Sequence, residues 1–175
     1  MGDREIRTHR GRTALLSAAA VVGATLAVAG CGSSSSSPST TSTSSTSSSS
    51  GALTVSSAQV AGLGSVLVNS QGLTLYTFVP DARTKVTCVG SCASVWPPLQ
   101  LASGQTAAAA GTVKASLLGS DPNPGGGKVV TYDKWPLYTY AGDTAAGVAT
   151  GQALNINGGL WYVISPSGVV ITKTG

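Results

Sequence analysis

Short runs of apolar and β-branched residues, rather than long amphipathic stretches, follow one another after residue 50 of this 175-residue chain. Runs of this length bounded by Gly, Pro, Asn, Asp and Ser are typical of β-strands. Six runs stand out, at 65–68, 73–78, 128–132, 136–140, 161–165 and 169–172. Turn-forming residues at 69–72, 133–134 and 166–168 separate them in pairs, so we expect three hairpins.

Helical patterns are weak throughout this region. The stretch 105–118 favours a helix through four consecutive alanines, but Gly111 interrupts it, and 112–115 equally favours a strand. The Pro- and Gly-rich segment 121–127 is predicted to lack regular structure and to mark a boundary. We therefore expect a mostly β domain in which two pseudo-repeats of antiparallel hairpins share one core, with little helix.

One sequence pattern occurs twice, at 75–81 and again at 137–143. Each copy places Leu-Tyr-Thr-aromatic before an aspartate with two residues between. A tryptophan follows each copy at a similar distance, Trp96 after the first aspartate and Trp161 after the second. The loops differ while the units match, so we place the repeats near 63–100 and 128–172, inside a single domain at 51–175.

The aromatic residues of the pattern alternate along their predicted strands. Tyr76 and Phe78 share one face of their strand, and Tyr138 and Tyr140 share the corresponding face in the second copy. These rings either pack the interior or line one groove. The interior is favoured, because aromatic side chains bury large apolar areas and tyrosine hydroxyls find partners at the rim.

Asp81 and Asp143 come just after these strands. An aspartate in this position commonly closes a turn by accepting backbone amides two residues on, and ligand binding is the alternative. Turn closure is favoured over a cation site, because calcium takes about six to eight oxygen ligands and acidic residues are few here.

Two cysteines, Cys88 and Cys92, lie within one predicted turn, with Gly90 between them. In an oxidising compartment a tight local disulfide is the default interpretation, and it would hold the turn that leads to Trp96. A redox or metal role is the alternative. A four-ligand zinc site lacks support, because after residue 31 the chain has no histidine and no further cysteine.

The N-terminal segment has the pattern of an export signal. Four arginines precede an apolar run at 14–28, which is too short for an ordinary membrane-spanning helix. The run ends in Val28-Ala29-Gly30-Cys31, an aliphatic residue and two small residues before a cysteine. This matches the lipobox of bacterial lipoproteins, so we predict a signal peptide at 1–30 and lipidation of Cys31 with acyl chains such as palmitate. An ordinary signal peptide with an incidental cysteine is the alternative.

A linker is predicted between Cys31 and the domain. From 33 to 50 the chain is Ser and Thr apart from Pro38, a composition with nothing to bury. As a flexible coil these residues would span about 20–25 Å. We therefore assign 31–50 to the lipidated cysteine and its linker, and 51–175 to one domain, which we expect to be monomeric.

The composition after residue 30 excludes several functions. No His, Met or Glu remains there, and six bases against four acids leave a formal charge of +2. Triads that use histidine as a base are excluded, and scattered Lys and Arg do not supply a nucleic-acid surface. We predict no catalytic residue, no metal site and no cofactor, and hence a protein that is not an enzyme.

These residues resemble a family of secreted-repeat bacterial lipoproteins of unknown function with a Tyr-x-aromatic-x-x-Asp motif. Tyr76, Phe78 and Asp81 match one copy of it, and Tyr138, Tyr140 and Asp143 match the other. The strings from Cys88 to Pro98, at 136–138 and at 158–162 are also similar, so the resemblance covers 63–170. Members often have a His before Pro-Leu-Tyr, where this chain has Lys134-Trp135. A metal or haem role implied by that His does not carry over.

The expected function follows from location more than from chemistry. We predict a lipid-anchored protein on the extracytoplasmic side of the cell membrane, without catalysis, that acts as an envelope binding or structural module. Its partner would be an unknown small ligand or envelope protein, and Trp96 and Trp161 join the motif residues as candidate binding or structural positions. The alternative is a redox or electron-transfer accessory that uses the Cys88/Cys92 pair.

Overall fold

The computed structural model describes residues 52–83 and 85–174. Its strands are short, as the apolar runs predict: β1 Leu53–Val60, β2 Gly64–Val68, β3 Tyr76–Phe78, β4 Gln100–Leu101, β5 Ala107–Ala109, β6 Leu118–Pro122, β7 Lys128–Tyr132, β8 Trp135–Pro136, β9 Asn155–Ile156 and β10 Gly159–Val163. The helical elements are one short helix, α1 Ser91–Val95, and 3-10 turns at Val79–Asp81 and Ala115–Leu117. The mostly β prediction is therefore confirmed. None of these helices is long and apolar enough to cross a membrane.

Three small sheets contain the strands. Their orders are β2-β1-β5, β3-β10-β9 and β4-β7-β6, and β8 pairs with β7 beside the last of these. Every pair is antiparallel except β1 with β5. The second sheet joins the two repeats, because β3 of the first repeat pairs with β10 of the second, with Trp161 opposite Phe78.

Two of the three predicted hairpins form as expected. β7 and β8 are joined at Asp133 and Lys134, whose φ values of 46° and 68° are those of a type I′ turn. The terminal hairpin closes around 166–168, where Ser165 N–H donates to Val169 O at 2.9 Å. The first hairpin is only partial. Its turn at 69–72 closes and Val68 bridges Thr74, but β2 pairs mainly with β1, a strand that the sequence interpretation did not include.

The prediction for 105–118 was wrong, and that for 121–127 was right only in part. The alanines at 107–109 form β5, which pairs with 53–55 of β1, and no strand forms over 112–115. Gly111 has φ of 62°, which interrupts a right-handed helix. β1 also offers backbone hydrogen-bond partners, and these outweigh the small preference of alanine for the helix. In 121–127, the first two residues complete β6, and the rest is the tight loop to β7.

The two faces of the motif strands separate the interior into two clusters. Tyr76, Phe78 and Tyr138 lie in an aromatic cluster with Trp96 and Trp161. Leu75 and Leu137 point the other way, into an aliphatic cluster. The other buried members of that second cluster are Val55, Leu67, Leu99, Val113, Val130, Tyr132 and Ile164. The predicted alternation of side chains along both motif strands is therefore confirmed.

A disulfide joins Cys88 to Cys92, with the two Cα atoms 5.2 Å apart. It closes the turn that enters α1, and Trp96 N–H donates to Cys92 O at 2.8 Å where that helix ends. Cys88 is buried and packs with the aromatic cluster. The bridge thus fixes the segment that brings Trp96 into the interior.

Candidate functional site: two crossed tyrosine–aspartate pairs

The motif tyrosines of the two repeats are neighbours through their backbones. Tyr76 N–H donates to Tyr138 O at 2.8 Å, and Tyr138 N–H donates to Tyr76 O at 3.0 Å. Two residues that exchange both backbone hydrogen bonds in this way are a hydrogen-bonded pair of antiparallel strands. It places the equivalent residues of both repeats on either side of a local pseudo-twofold centre.

The side chains of these tyrosines cross from one repeat to the other. Tyr76 Oη donates to Asp143 Oδ2 at 2.6 Å, and Tyr138 Oη donates to Asp81 Oδ2 at 2.6 Å. All four side chains are buried, Asp81 at 0 % and Asp143 at 5 % exposure. Each repeat therefore supplies the hydroxyl that one carboxylate of the other repeat requires.

The second oxygen of each carboxylate holds a loop of its own repeat. Asp81 Oδ1 accepts from the backbone N–H of Thr87 at 2.9 Å and from its hydroxyl at 2.5 Å. Asp143 Oδ1 accepts from Thr150 in the same way, at 2.9 and 2.5 Å. The aspartates do close loops, but each reaches a threonine much further along the chain than the two positions that a simple turn predicts.

Tyr76 Oη also accepts a backbone hydrogen bond, from Gly151 N–H at 3.2 Å. Cys88 takes the corresponding place beside Tyr138, and its backbone amide acts to lower the pKa of that hydroxyl. Cys88 and Gly151 are thus equivalent, each directly after the threonine that binds its aspartate. A Cβ at Gly151 would lie 2.7 Å from the Trp96 ring, so close packing explains the glycine.

Burial controls the ionisation of Tyr76, Tyr138 and Asp81. Burial, with the hydrogen bond to the carboxylate as the next cause, raises the pKa of Tyr76 and of Tyr138 far above the ordinary tyrosine value. Burial also raises the pKa of Asp81, and the hydrogen bonds from Thr87 and Tyr138 oppose that shift. The tyrosines therefore remain proton donors throughout the neutral range.

Four aromatic rings stack in a column beside the pairs. The rings follow in the order Phe78, Trp161, Trp96 and Tyr140, with successive centroids 4.2, 3.9 and 4.3 Å apart. The two indoles at the centre lie 1° from parallel. The paired tyrosines meet the indoles edge-on, Tyr76 on Trp96 at 5.4 Å and Tyr138 on Trp161 at 5.2 Å. The column obeys the same pseudo-twofold relation as the pairs.

All eight residues singled out by the repeat pattern meet in this one region. Seven are buried, and Tyr140 is half-buried at one end of the column, so these residues form an interior and not an open groove. Thr87, Thr150 and Gly151 were missed by the sequence interpretation. The signal that would have revealed the threonines is their similar distance after each aspartate. Cys31 lies outside the described residues.

The crossed pairs predict a specific mutational coupling. Tyr138→Phe removes a hydrogen bond to a buried carboxylate and should lower the free energy of unfolding by about 1.5–3 kcal/mol. Combined with Asp81→Ala, it should cost less than the sum of the single effects by about 0.5–3 kcal/mol, measured by urea unfolding. Tyr132→Phe is the matched control, because that buried hydroxyl donates to Pro166 O and not to an aspartate. Its effect on the free energy of unfolding should add to that of Asp81→Ala. Additive effects of Asp81→Ala and Tyr138→Phe would contradict the pairing.

The raised tyrosine pKa values predict a loss of stability at alkaline pH. Unfolded tyrosine ionises above about pH 10, where the folded Tyr76 and Tyr138 keep their protons. Their contribution is complete below about pH 10 and is lost as the pH rises, at about 1.4 kcal/mol per pH unit for each tyrosine. Urea unfolding at several alkaline pH values should show a smaller slope for Tyr138→Phe than for the parent chain. Equal slopes of unfolding free energy against pH in the variant and the parent chain would contradict this prediction. So would ionisation of Tyr76 or Tyr138 to phenolate while the protein is still folded.

Comparison with known proteins identifies the repeated unit. A family described as a secreted repeat of unknown function matches the chain twice, at residues 58–100 and 122–165. No curated protein and no solved structure matches the chain. Each matched stretch contains one of the two paired tyrosines, one motif aspartate and one stacked tryptophan, so the match covers both halves of the crossed arrangement. The chain belongs to this family of secreted repeats of unknown function and carries two copies of the repeat.

Proposed function

We propose that this protein is a non-catalytic structural module, anchored by lipid at Cys31 to the extracytoplasmic side of the cell membrane. The observation that carries the proposal is the use of the family motif. Tyr76 and Tyr138 bind the two motif aspartates, and the tryptophans that follow the motif, Trp96 and Trp161, are fully buried. The motif therefore builds the fold and presents no exposed group to a substrate.

The location is supported by two independent features. The family is one of secreted repeats, and its name is that of a lipoprotein. The residues Val28 to Cys31 have the composition and order of a lipobox, after a basic segment and an apolar run. Lipid at Cys31, followed by the Ser- and Thr-rich stretch at 33–50, would hold the β domain outside the membrane on a tether.

Binding through the motif aromatics has less support than a structural role. Trp96, Trp161, Tyr76 and Tyr138 each have 0 % exposure, so these rings offer no free face to a ligand. A partner of the module, such as another envelope protein, would instead bind the outer surface of the folded domain.

The redox alternative also has less support. Thiol–disulfide exchange requires attack on a sulfur atom by an outside thiolate, and Cys88 is 1 % exposed. Cys92 is half-buried within the same interior. The surroundings are those of a structural bridge that holds α1 and Trp96 in place.

The anchor is tested on the protein purified from membranes of its own host. Mass spectrometry of the N-terminal peptide should find an acylated Cys31 as the first residue, and Cys31→Ser should abolish both the acyl mass and the new N-terminus at residue 31. The double variant Cys88→Ser/Cys92→Ser is the matched control and should keep the acylated peptide. An unmodified N-terminus at another residue, or an unchanged N-terminal peptide mass in the Cys31→Ser variant apart from the substitution, would disprove the lipid anchor.

A further inference from the structure

The aromatic column has chemical properties beyond packing. Residues 52–83 and 85–174 contain no Met and no free thiol, since their two cysteines form the disulfide. Indole and phenol rings are therefore the side chains of these residues from which a one-electron oxidant most easily takes an electron. The column places two indoles in contact and leads from them to the half-buried ring of Tyr140. A continuous path of ring contacts thus joins the surface to the centre of the domain.

The hydrogen bonds of the two indoles allow the positive charge of an oxidised ring to move to a neighbouring ring. Trp96 Nε1 donates to Asn157 Oδ1, and Trp161 Nε1 donates to Ile156 O, both at 3.2 Å. These acceptors are neutral amide oxygens, which are very weak bases. An indole that loses an electron therefore keeps its N–H proton, and the positive charge is free to pass to a neighbouring ring.

The hydrogen bonds of the paired tyrosines instead favour a radical that stays on the tyrosine. A phenol that loses an electron becomes a strong acid, and it must release its proton to form a stable neutral radical. Tyr76 and Tyr138 each have a carboxylate oxygen at 2.6 Å, in position to take that proton without any movement of the chain. Burial raises the pKa of the Asp81 carboxyl and so makes its carboxylate a better proton acceptor, which supports this role.

We propose that the column and the crossed pairs form a relay for one-electron oxidation, with Tyr76 and Tyr138 as the radical traps. An outside oxidant such as a peroxyl radical draws an electron from Trp96 across the ring of Tyr140. Trp161 shares the resulting charge through its contact with Trp96. The proposal is independent of the lipid anchor.

The trapping step moves one electron and one proton away from a tyrosine. Tyr138 gives one electron to the oxidised Trp161, its O–H bond breaks, and the proton forms an O–H bond with Asp81. The peroxyl radical, now reduced to an anion, takes a proton from water and becomes a hydroperoxide, which leaves hydroxide. A small-molecule thiolate then gives one electron to the tyrosyl radical and becomes a thiyl radical, and Asp81 returns the proton to the tyrosine oxygen. Tyr76 and Asp143 follow the same steps from Trp96.

The relay is tested on the folded chain with a ruthenium(III) polypyridyl complex generated by a light flash as the one-electron oxidant. Time-resolved absorption should show a tryptophan radical that converts to a tyrosyl radical, more slowly in deuterated water because a proton moves. Tyr76→Phe/Tyr138→Phe should leave the tryptophan radical unconverted, and Tyr140→Leu should slow its formation.

Two further sets of variants keep the result decisive. Tyr76→Phe and Tyr138→Phe alone each retain one trap, and each should slow the conversion of the tryptophan radical to the tyrosyl radical even if the double variant does not fold. Tyr132→Phe, which removes a buried phenol bonded to a carbonyl, should leave that conversion rate unchanged. Conversion rates unaffected by both single variants, or the same rate in deuterated water, would overturn the proposal.

Discussion

Each buried carboxylate of this protein depends on a hydroxyl from the other repeat. A buried carboxylate is costly unless hydrogen bonds satisfy it, and Asp81 and Asp143 are both buried. Their loop threonines belong to the same repeat, but their tyrosine donors do not. A single repeat would therefore hold a carboxylate without its tyrosine and a tyrosine without its carboxylate. This crossed requirement makes the two repeats one structural unit.

The strands and rings follow the same crossed rule. β3 of the first repeat pairs with β10 of the second, and Tyr138 of the second repeat bridges Pro98 of the first. The two tryptophans then meet face to face at the centre, with one stacked ring from each repeat outside them. The disulfide has no counterpart in the second repeat, where Gly151 takes the place of Cys88. The symmetry thus holds for the contacts between repeats and not for the loops around them.

The sequence predicts faces of strands well and partners of strands poorly. The alternation that separates Leu75 from Tyr76 is local, and it was correct, as was the turn at Asp133 and Lys134. The crossing of Tyr76 to Asp143 depends on which strands pair between distant parts of the chain, and a period of two residues carries no information about that. The alanines of β5 were misjudged for a related reason, because the parallel partner that makes them a strand is β1, far earlier in the chain.

Native-state hydrogen exchange tests the central claim, that the two repeats open only together. The amides of Tyr76 and Trp161 lie in different repeats, and both are hydrogen-bonded, to Tyr138 O and Leu154 O. If the crossed pairs join the repeats, both amides should exchange through one opening whose free energy equals that of global unfolding in urea. Exchange of one repeat through an opening of clearly lower free energy, while the other stays protected, would contradict the account.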